Sequence, residues 1–314
     1  MAASSRKLAT EWRKNGYRSP QSVVGDEEEP MKAVGPRRGA LLGLVLLVAL
    51  FGAGCGGGDD DGDQAGDQQG TGGAAQLENP ITPGTLTVGT ELPAPPFWIG
   101  DDYDSITGGF EVDLAKEIGK RLGLNNVKFV EMPFSGLVAG QQCDCDINLS
   151  QVTITEERDR VVDFTEPYFE ANQGILARQG VTVTSLADAK GIRWGAQLNT
   201  TGATFIADRI QPTTEARIFD RTVDAFQALN AGQIDAMLLD TPIVLGAVEN
   251  NQVRNAEVIG QFKTGEQYGA VVNRGSPNLE AFNTVIRQLK SEGFVDQLFQ
   301  KYFPEQVAVK VIEG

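Results

Sequence analysis

Short apolar runs alternate with longer segments that have apolar residues every three or four positions, from residue 84 to residue 306. The first pattern is typical of buried β-strands, and the second of helices with one apolar face. Strands are predicted at residues 85–90, 127–131, 146–149, 192–195, 216–219, 236–239 and 268–273. Helices are predicted at residues 112–122, 135–142, 200–210, 222–231, 241–249 and 278–303. This alternation predicts α/β lobes with mostly parallel sheets, and about 220 residues suffice for two such lobes.

Polar residues follow three of the predicted strands at their carboxyl ends. Glu91 comes directly after the first strand, residues 150–153 follow the third strand, and Asp240 follows strand 236–239. Ligands of α/β sheets lie beyond the carboxyl ends of the strands. We therefore expect these three positions to border a ligand-binding cleft.

The run from Ser150 to Arg158, Ser-Gln-Val-Thr-Ile-Thr-Glu-Glu-Arg, has features of a carboxylate-binding loop. We interpret it as a strand end, a hydroxyl-rich loop and the first turn of a helix, whose free backbone N–H groups attract an anion. Thr153 and Thr155 add hydroxyl donors, and Arg158 adds a planar guanidinium that matches a carboxylate. The structural alternative is a capping box from Thr153 to Glu156, with Arg158 in an ordinary surface ion pair.

The beginning of the chain has the pattern of an export signal. Basic residues occur within residues 31–38, an apolar run covers residues 40–51, and small residues precede Cys55. The apolar run has about 12 residues, whereas a membrane span needs about 20. Residues 1–54 are therefore predicted to be an N-terminal extension and signal peptide, with Met31 as the expected true start.

Cys55 lies in a segment that resembles the lipidation box of bacterial lipoproteins, although Gly52 stands where that box usually has leucine. We expect Cys55 to be lipidated, and a plain signal peptide with an incidental cysteine is the alternative. Residues 55–83 begin as a Gly-, Asp- and Gln-rich stretch and are predicted to be a flexible tether. The expected location is the outer face of the cell membrane, with the protein held there by its N-terminal lipid.

Charge and residue types exclude several functions. The formal net charge is −15, which argues against a nucleic-acid partner because phosphate binding needs a basic surface. The chain has no histidine, so histidine-based catalysis and imidazole metal sites are excluded. We expect no metal and no cofactor. Besides Cys55 the chain has only Cys143 and Cys145, and the sequence leaves open whether they are bridged or unpaired.

Motifs spread over nearly all of residues 84–304 together carry a family resemblance. Residues 109–122 read Gly-Phe-Glu-Val-Asp-Leu-Ala-Lys-Glu-Ile-Gly-Lys-Arg-Leu. Further motifs follow at residues 134–137, 150–158, 162–168, 199–203, 235–242, 267–269 and 291–303. In this order they resemble the solute-binding protein family 3, the amino-acid-binding receptors of ABC importers.

The resemblance implies a two-lobed periplasmic-binding-protein fold of type II. The first lobe would comprise residues 84–172 and 268–306, the second lobe residues 173–267, and residues 307–314 would be a C-terminal tail. Two crossing strands would join the lobes, which would close by hinge motion over an amino acid in the cleft.

The same resemblance implies how the protein works. It would be a monomer without catalytic activity that binds a free amino acid and delivers it to the permease of an ABC importer. The alternatives are an exported enzyme on the same fold, similar to cyclohexadienyl dehydratase, and a ligand-sensing ectodomain.

The resemblance also assigns roles at the ends of the ligand. Arg158 would pair with the α-carboxylate, helped by Thr153 and by main-chain groups at Ser150. Asp240 would receive the α-ammonium, and a helix N-cap is the structural alternative for this residue. Because the two charges would belong to different lobes, closure would depend on the ligand.

Other positions would complete the cleft. Backbone groups of Thr201 and Gly202 would donate to the carboxylate, and Phe134 would form an aromatic wall, with core packing as its alternative. Glu91 would contact the ammonium or a distal polar group, with a position on the rim as its alternative.

Three positions depart from the family pattern and concern ligand choice. Gln151 stands where the family usually has a small residue, and Leu198 stands where some glutamine receptors have lysine. Ala94 stands where an aromatic ring commonly stacks on the ligand, unless Phe97 or Trp98 replaces it.

The predicted charges of the cleft favour one class of side chain. Glu91 would face the ligand with no basic partner beyond Arg158, which disfavours an acidic side chain. We therefore expect a cationic or amide amino acid, such as arginine, lysine or glutamine.

Overall fold

Nine strands form one sheet in the computed structural model, which describes residues 75–100, 102–303 and 309–313. The strands are β1 (Thr85–Thr90), β2 (Asn126–Glu131), β3 (Ile147–Asn148), β4 (Asp163–Arg178), β5 (Trp194–Gln197), β6 (Arg217–Phe219), β7 (Ala236–Asp240), β8 (Ala256–Val272) and β9 (Val311–Ile312). No helix in the described residues is long and apolar enough to cross a membrane. The predictions for the signal peptide, for Cys55 and for most of the tether lie outside these residues.

Helices alternate with these strands along the chain. They are α1 (Phe110–Arg121), α2 (Phe134–Val138), α3 (Leu186–Ala189), α4 (Thr201–Phe205), α5 (Thr222–Asn230), α6 (Thr241–Glu249), α7 (Leu279–Ser291) and α8 (Phe294–Tyr302). In α1 the apolar positions are buried, the first turn is acidic and the last turn is basic. This charge order stabilises the helix because it complements the helix dipole.

Two long antiparallel strands, β4 and β8, divide the sheet into two lobes. The strand order is β2-β1-β3-β8-β4-β7-β5-β6, with β9 beside β8. In the first lobe β1 pairs in parallel with β2 and β3, and in the second lobe β5 pairs in parallel with β6 and β7. The chain crosses between the lobes along β4 and β8. This confirms the predicted two-lobed α/β fold with two crossing strands.

Each lobe buries its own apolar core. The first-lobe core is rich in aromatic rings, and its Phe169 and Tyr268 stack with their centres 5.3 Å apart. In the second lobe, β4 and β7 contribute residues to two further buried clusters, and β5 contributes to one of them. The two lobes thus have largely separate cores, with Ile243 packed against a core of each.

The helices predicted from periodicity are interrupted in two places. The predicted helix 278–303 is two helices, α7 and α8, separated at Gly293, whose φ of 74° lies in the left-handed region. The predicted helix 200–210 is α4 followed by a π-helical turn, Ile206–Ile210. By contrast, β1 and α6 have the predicted bounds.

The Ser150–Arg158 run does not enter an α-helix, which corrects the sequence interpretation. Arg158 begins a three-residue 3-10 helix, Arg158–Arg160, and the next element is β4. The hydroxyl of Thr153 donates to Glu266 and caps nothing, so the capping box is absent from this loop. Since Arg158 is only 7 % exposed, the surface ion pair is excluded as well.

Cys143 and Cys145 are joined by a disulfide. Their Cα atoms lie 5.1 Å apart, within the range that disulfides usually span. Both residues belong to a small buried cluster of the first lobe that also contains Met132 and Leu137. Of the two alternatives that the sequence leaves open, bridged or unpaired cysteines, the structure has the bridged one.

The two ends of the described chain are attached to different lobes. Leu77 packs against the first-lobe core, and the Glu78 N–H donates to the Asn278 side chain at 2.7 Å. At the other end, β9 pairs in parallel with β8, and Ile312 is buried in the core of the second lobe. The strand that β9 forms was not predicted from the sequence.

Candidate functional site

A cleft lies between the two lobes. Eight of the nine ligand-contacting residues predicted from the sequence line it. They are Glu91, Phe134, Ser150, Gln151, Thr153, Arg158, Thr201 and Asp240. The ninth, Gly202, is buried behind this wall, where a Cβ atom would lie 2.6 Å from the Leu238 carbonyl oxygen. The predicted positions that follow strand ends therefore border a single cleft.

The Arg158 guanidinium is fixed by two main-chain carbonyls. Its Nη1 donates to the Thr153 oxygen at 2.7 Å, and its Nη2 donates to the Asn199 oxygen of the second lobe at 2.8 Å. Its central carbon lies 5.4 Å from the centre of the Phe134 ring. Burial lowers the pKa of Arg158, and the negative charges of Asp240 and Glu266 oppose this effect. Arginine keeps its proton in proteins, so the cleft contains a fixed positive charge.

The Asp240 carboxylate is held on the opposite lobe at the end of β7. It occupies the N-cap position of α6, but its side chain makes no capping hydrogen bond. Instead the Tyr268 hydroxyl donates to one oxygen, and Gln173 Nε2 donates to the other at 2.5 Å. Burial raises the pKa of Asp240 to about 7, and the negative charge of Glu266 adds to this increase. Burial disfavours the ionised form of this carboxylate, and a cation placed beside it would stabilise that form.

A second carboxylate, Glu266 of β8, lies behind the same part of the cleft. Its Oε2 accepts hydrogen bonds from the hydroxyls of Thr153 at 2.8 Å and Thr201 at 2.7 Å. Its Oε1 accepts from Gln173 Nε2 at 3.0 Å. Thr153 belongs to the first lobe, Thr201 to the second, and Gln173 to a crossing strand. Glu266 therefore connects all three parts of the structure.

The cleft wall that contains Glu91 is a chain of hydrogen bonds that runs from one lobe to the other. The carboxylate of Glu91 accepts from the Phe134 N–H and from Gln197 Nε2, both at 2.9 Å. Gln197 Nε2 also donates to the Asp220 carbonyl at 3.2 Å, and Gln197 Oε1 accepts from the Thr222 hydroxyl. Because these hydrogens are engaged inside the wall, the wall presents mainly acceptor oxygens to the cleft.

Bonds across the cleft hold the two lobes against each other. Besides the Glu91–Gln197 and Arg158–Asn199 contacts, Arg221 of the second lobe donates to the Leu92 carbonyl at 2.8 Å. The lobes also touch at Gly246 of α6, where a Cβ atom would lie 2.1 Å from the Pro95 oxygen. The described conformation is therefore a closed one.

The Gln151 side chain, at the edge of the cleft, is hydrogen-bonded to a buried carboxylate of the first lobe. The Gln151 backbone N–H donates to Glu111 at 3.0 Å, and its side-chain amide donates to the same carboxylate. Glu111 is fully buried and also accepts from Trp98 and Tyr168, and burial raises its pKa. This network fixes the loop at Gln151, whose φ of 48° is unusual for a non-glycine residue.

The aromatic rings considered as replacements at position 94 do not reach the cleft. Phe97 and Trp98 are both fully buried, Phe97 among core rings and Trp98 against Phe129. Ala94 itself lines the cleft, whereas Leu198 is 38 % exposed and lies outside its lining. Phe134 is therefore the aromatic side chain that the described cleft wall presents.

The sequence analysis did not identify several residues that line or support the cleft. Gln197 stands at the end of β5 and Thr222 at the start of α5, so the strand-end rule could have found both. Gln173 and Glu266 lie within long strands and have no local motif. Their bonds join residues 28 to 113 positions apart, which only the fold reveals.

The chemistry of the cleft is that of binding a small polar molecule with two opposite charges. In the described residues, no group of histidine, cysteine, aspartate and glutamate side chains could hold a metal ion. A fixed guanidinium faces the cleft from the first lobe and a buried carboxylate from the second. Two lobes, a hinge of two strands and such a cleft define an extracellular-type solute-binding protein.

The chain belongs to the bacterial extracellular solute-binding proteins, family 3, whose pattern matches residues 86–305. The ABC transporter glutamine-binding protein GlnH of Bacillus subtilis (strain 168) is 32 % identical over 205 residues, which are 64 % of this chain and 74 % of the relative. Among solved structures, an ancestral arginine-binding protein bound to arginine is 38 % identical with a TM-score of 0.63, covering 70 % of this chain and 98 % of its own.

A second solved structure bears on the enzyme alternative. It is the ancestral amino acid-binding protein AncCDT-1, described as a precursor of cyclohexadienyl dehydratase. It is 33 % identical, with a TM-score of 0.61, and covers 70 % of this chain and 95 % of its own. The named relatives are thus binding proteins.

Proposed function

We propose that the cleft binds a free amino acid, with Arg158 facing its α-carboxylate and Asp240 facing its α-ammonium. The observation that carries this proposal is the pair of opposite charges held on opposite lobes of one cleft. Burying either end of a zwitterion without a partner would be costly, so each charge of the ligand needs one of these groups. Closure of the lobes then depends on a molecule that satisfies both.

The preferred ligand is a cationic amino acid, and arginine is the first candidate. The wall that contains Glu91 presents the carboxylate of Glu91, Gln197 Oε1 and the oxygen of Thr222, which suit a side chain with several N–H donors. A guanidinium group can donate to these oxygens in a planar arrangement, and the Phe134 ring offers an apolar face beside it. The similarity to an ancestral arginine-binding protein supports this choice.

Glutamine is the second candidate, and Arg221 is the observation that favours it. This exposed guanidinium also lines the cleft and could donate to an amide oxygen while Glu91 accepts from the amide nitrogen. A purely cationic side chain would gain nothing from Arg221. The similarity to a glutamine-binding protein agrees with this alternative.

In the cell, the protein would capture its ligand outside the cytoplasm and deliver it to the permease of an ABC importer. Cys55 would carry the lipid anchor, the segment up to residue 83 would act as a tether, and translation would start at Met31. The working unit would be a monomer without catalytic activity. Its first lobe would comprise residues 84–172 and 268–306 and its second lobe residues 173–267.

Isothermal calorimetry with the twenty standard amino acids tests the proposal, on protein unfolded and refolded to remove any bound ligand. We expect saturable binding of arginine or glutamine, and much weaker binding of aspartate and glutamate. Arginine without its α-amino group should bind at least about a hundredfold more weakly, because Asp240 would lose its partner. Absence of binding for all twenty would refute the function.

A further inference from the structure

Arg221 of the second lobe is hydrogen-bonded to the main chain of the first lobe. Its Nη2 donates to the Leu92 carbonyl oxygen at 2.8 Å, and both residues line the cleft. They are 129 positions apart in the chain, and no local pattern indicates their contact. Because the donor and the acceptor belong to different lobes, opening of the cleft must break this bond.

The donor and the acceptor are each held in place by their own lobe. Leu92 is 5 % exposed, and its side chain belongs to the first-lobe core. Arg221 is the N-cap residue of α5, and its carbonyl accepts from the Asp224 N–H at 3.1 Å. Both positions are therefore set by the lobes themselves and not by a ligand, so the bond can form in any closed conformation.

The charge of Arg221 also lies against the first lobe. Burial raises the pKa of Tyr103, a first-lobe residue, to about 12, with Glu131 and Glu91 adding to the increase and Arg221 opposing it. Two first-lobe carboxylates and the Arg221 guanidinium thus act on the same phenol group. Opposite charges on facing lobes favour the closed conformation over the open one.

The Arg221–Leu92 bond involves neither of the charges that face the ligand, Arg158 and Asp240. Its donor and its acceptor are both protein atoms. Every amino acid that allows the lobes to close would therefore gain the same free energy from this bond. A direct bond from Arg221 to the ligand would instead depend on the group at the end of the ligand's side chain.

We propose that Arg221 is a positioning residue that stabilises the closed conformation through the Leu92 carbonyl and thereby raises the affinity for every bound amino acid by the same factor. The inference rests on the proposed amino-acid site and assigns part of its affinity to a bond that does not touch the ligand. One net hydrogen bond of this kind corresponds to about a fivefold change in affinity.

The main test compares the Arg221→Met variant with the wild type, because methionine keeps an apolar stem and removes every donor. Arginine, glutamine, citrulline and norleucine are measured in competition with the amino acid that binds most tightly, at concentrations up to tens of millimolar. We expect every dissociation constant to rise about fivefold, with the ratios between ligands unchanged within about twofold. Norleucine is the sharpest probe, since its side chain has no polar atom that Arg221 could bind.

Two results of this comparison would overturn the inference. A loss confined to glutamine and citrulline, with norleucine unaffected, would show that Arg221 contacts a ligand oxygen. Equal affinities of variant and wild type would show that the bond contributes nothing to closure. Arg217→Met is the matched control, since Arg217 is exposed on the same lobe and bonds within it to Gln233 at 2.7 Å, and it should bind all four ligands normally.

Rates measured by stopped-flow fluorescence give a second readout. Arg221→Met should release its ligand about fivefold faster, because the bond has to break before the cleft opens, while association should change less than about twofold. Slower association with unchanged release would assign Arg221 to attraction of the ligand and would contradict the inference.

Failure of the inference and failure of the function give different results. Wild-type protein that binds none of the twenty amino acids refutes the function itself. Wild-type protein that binds an amino acid, with the same affinity and release rate in Arg221→Met, refutes the role of Arg221 alone.

Discussion

Replacing Asp240 by asparagine should stabilise the ligand-free protein at neutral and alkaline pH while it abolishes tight ligand binding. Asn has nearly the same shape as Asp but cannot ionise. In the wild type, the folded state holds the Asp240 proton up to a pKa of about 7, because the carboxylate is buried. The unfolded chain releases that proton near the ordinary value of about 4.

The size of the effect follows from this difference. A shift of about 3 pKa units corresponds to about 4 kcal/mol of unfolding free energy. Because the folded state binds the extra proton, the contribution is complete below about pH 4 and is lost as the pH rises to about 7. The variant avoids this loss but gives up part of the hydrogen bonding from Tyr268 and Gln173, about 1–2 kcal/mol. We therefore expect a net gain of about 2–3 kcal/mol near pH 8 and a net loss of about 1–2 kcal/mol near pH 4.

Urea unfolding of both proteins at a series of pH values, without ligand, measures this difference. Titration of all other groups occurs in both proteins and cancels in the comparison. Between about pH 4 and pH 7 the free energy of unfolding of the wild type should fall relative to that of the variant, so that the variant becomes the more stable protein at the upper end of this range. Two parallel curves over this range would refute the buried, proton-binding state of Asp240. In the same samples the variant should lose affinity for arginine by about a hundredfold or more.

Three further predictions concern the same cleft. Arg158→Ala should weaken ligand binding by more than about a hundredfold while the circular dichroism spectrum is retained, whereas Arg160→Ala, an exposed arginine of the same short helix, should bind normally. Equal affinities for the two variants would exclude Arg158 from the site. Glu91→Gln should lower affinity for arginine more than for glutamine in calorimetry; an equal loss would place Glu91 on the rim. Ligand binding should strengthen as the pH rises through about 7 and should release a proton below that value, detectable as buffer-dependent heat; heat independent of the buffer would argue against ionisation of Asp240.

Sequence patterns predict those elements whose buried face is set by local residues. The bounds of β1 and α6 are exact because each has a clear apolar pattern and clear ends. The helix break at Gly293 is less visible, since the apolar periodicity continues on both sides of it. The full length of β4 and β8 cannot be read locally, because much of each strand is polar where it crosses between the lobes.

In the cleft too, residues marked by a local sequence pattern were predicted, whereas contacts between residues far apart in the chain were not. Glu91, Ser150 and Asp240 follow strand ends and were predicted to border one cleft, and all three line the same cleft. The sequence also predicted a helix start after Thr153, and that was wrong because the loop is held by partners far along the chain. Glu266 and Glu111 are those partners, and neither belongs to a motif that indicates its contact with the loop.

The attachment of the two ends of the described chain to different lobes gives each lobe its own accessible marker position. Residues 75–81 are bonded to the first lobe through Asn278 and Asp146. At the other end, β9 is paired with β8 and Ile312 is buried in the second lobe. Fluorescent labels placed near residue 78 and near residue 313 would therefore sit on different lobes, and their energy transfer would report opening and closing directly.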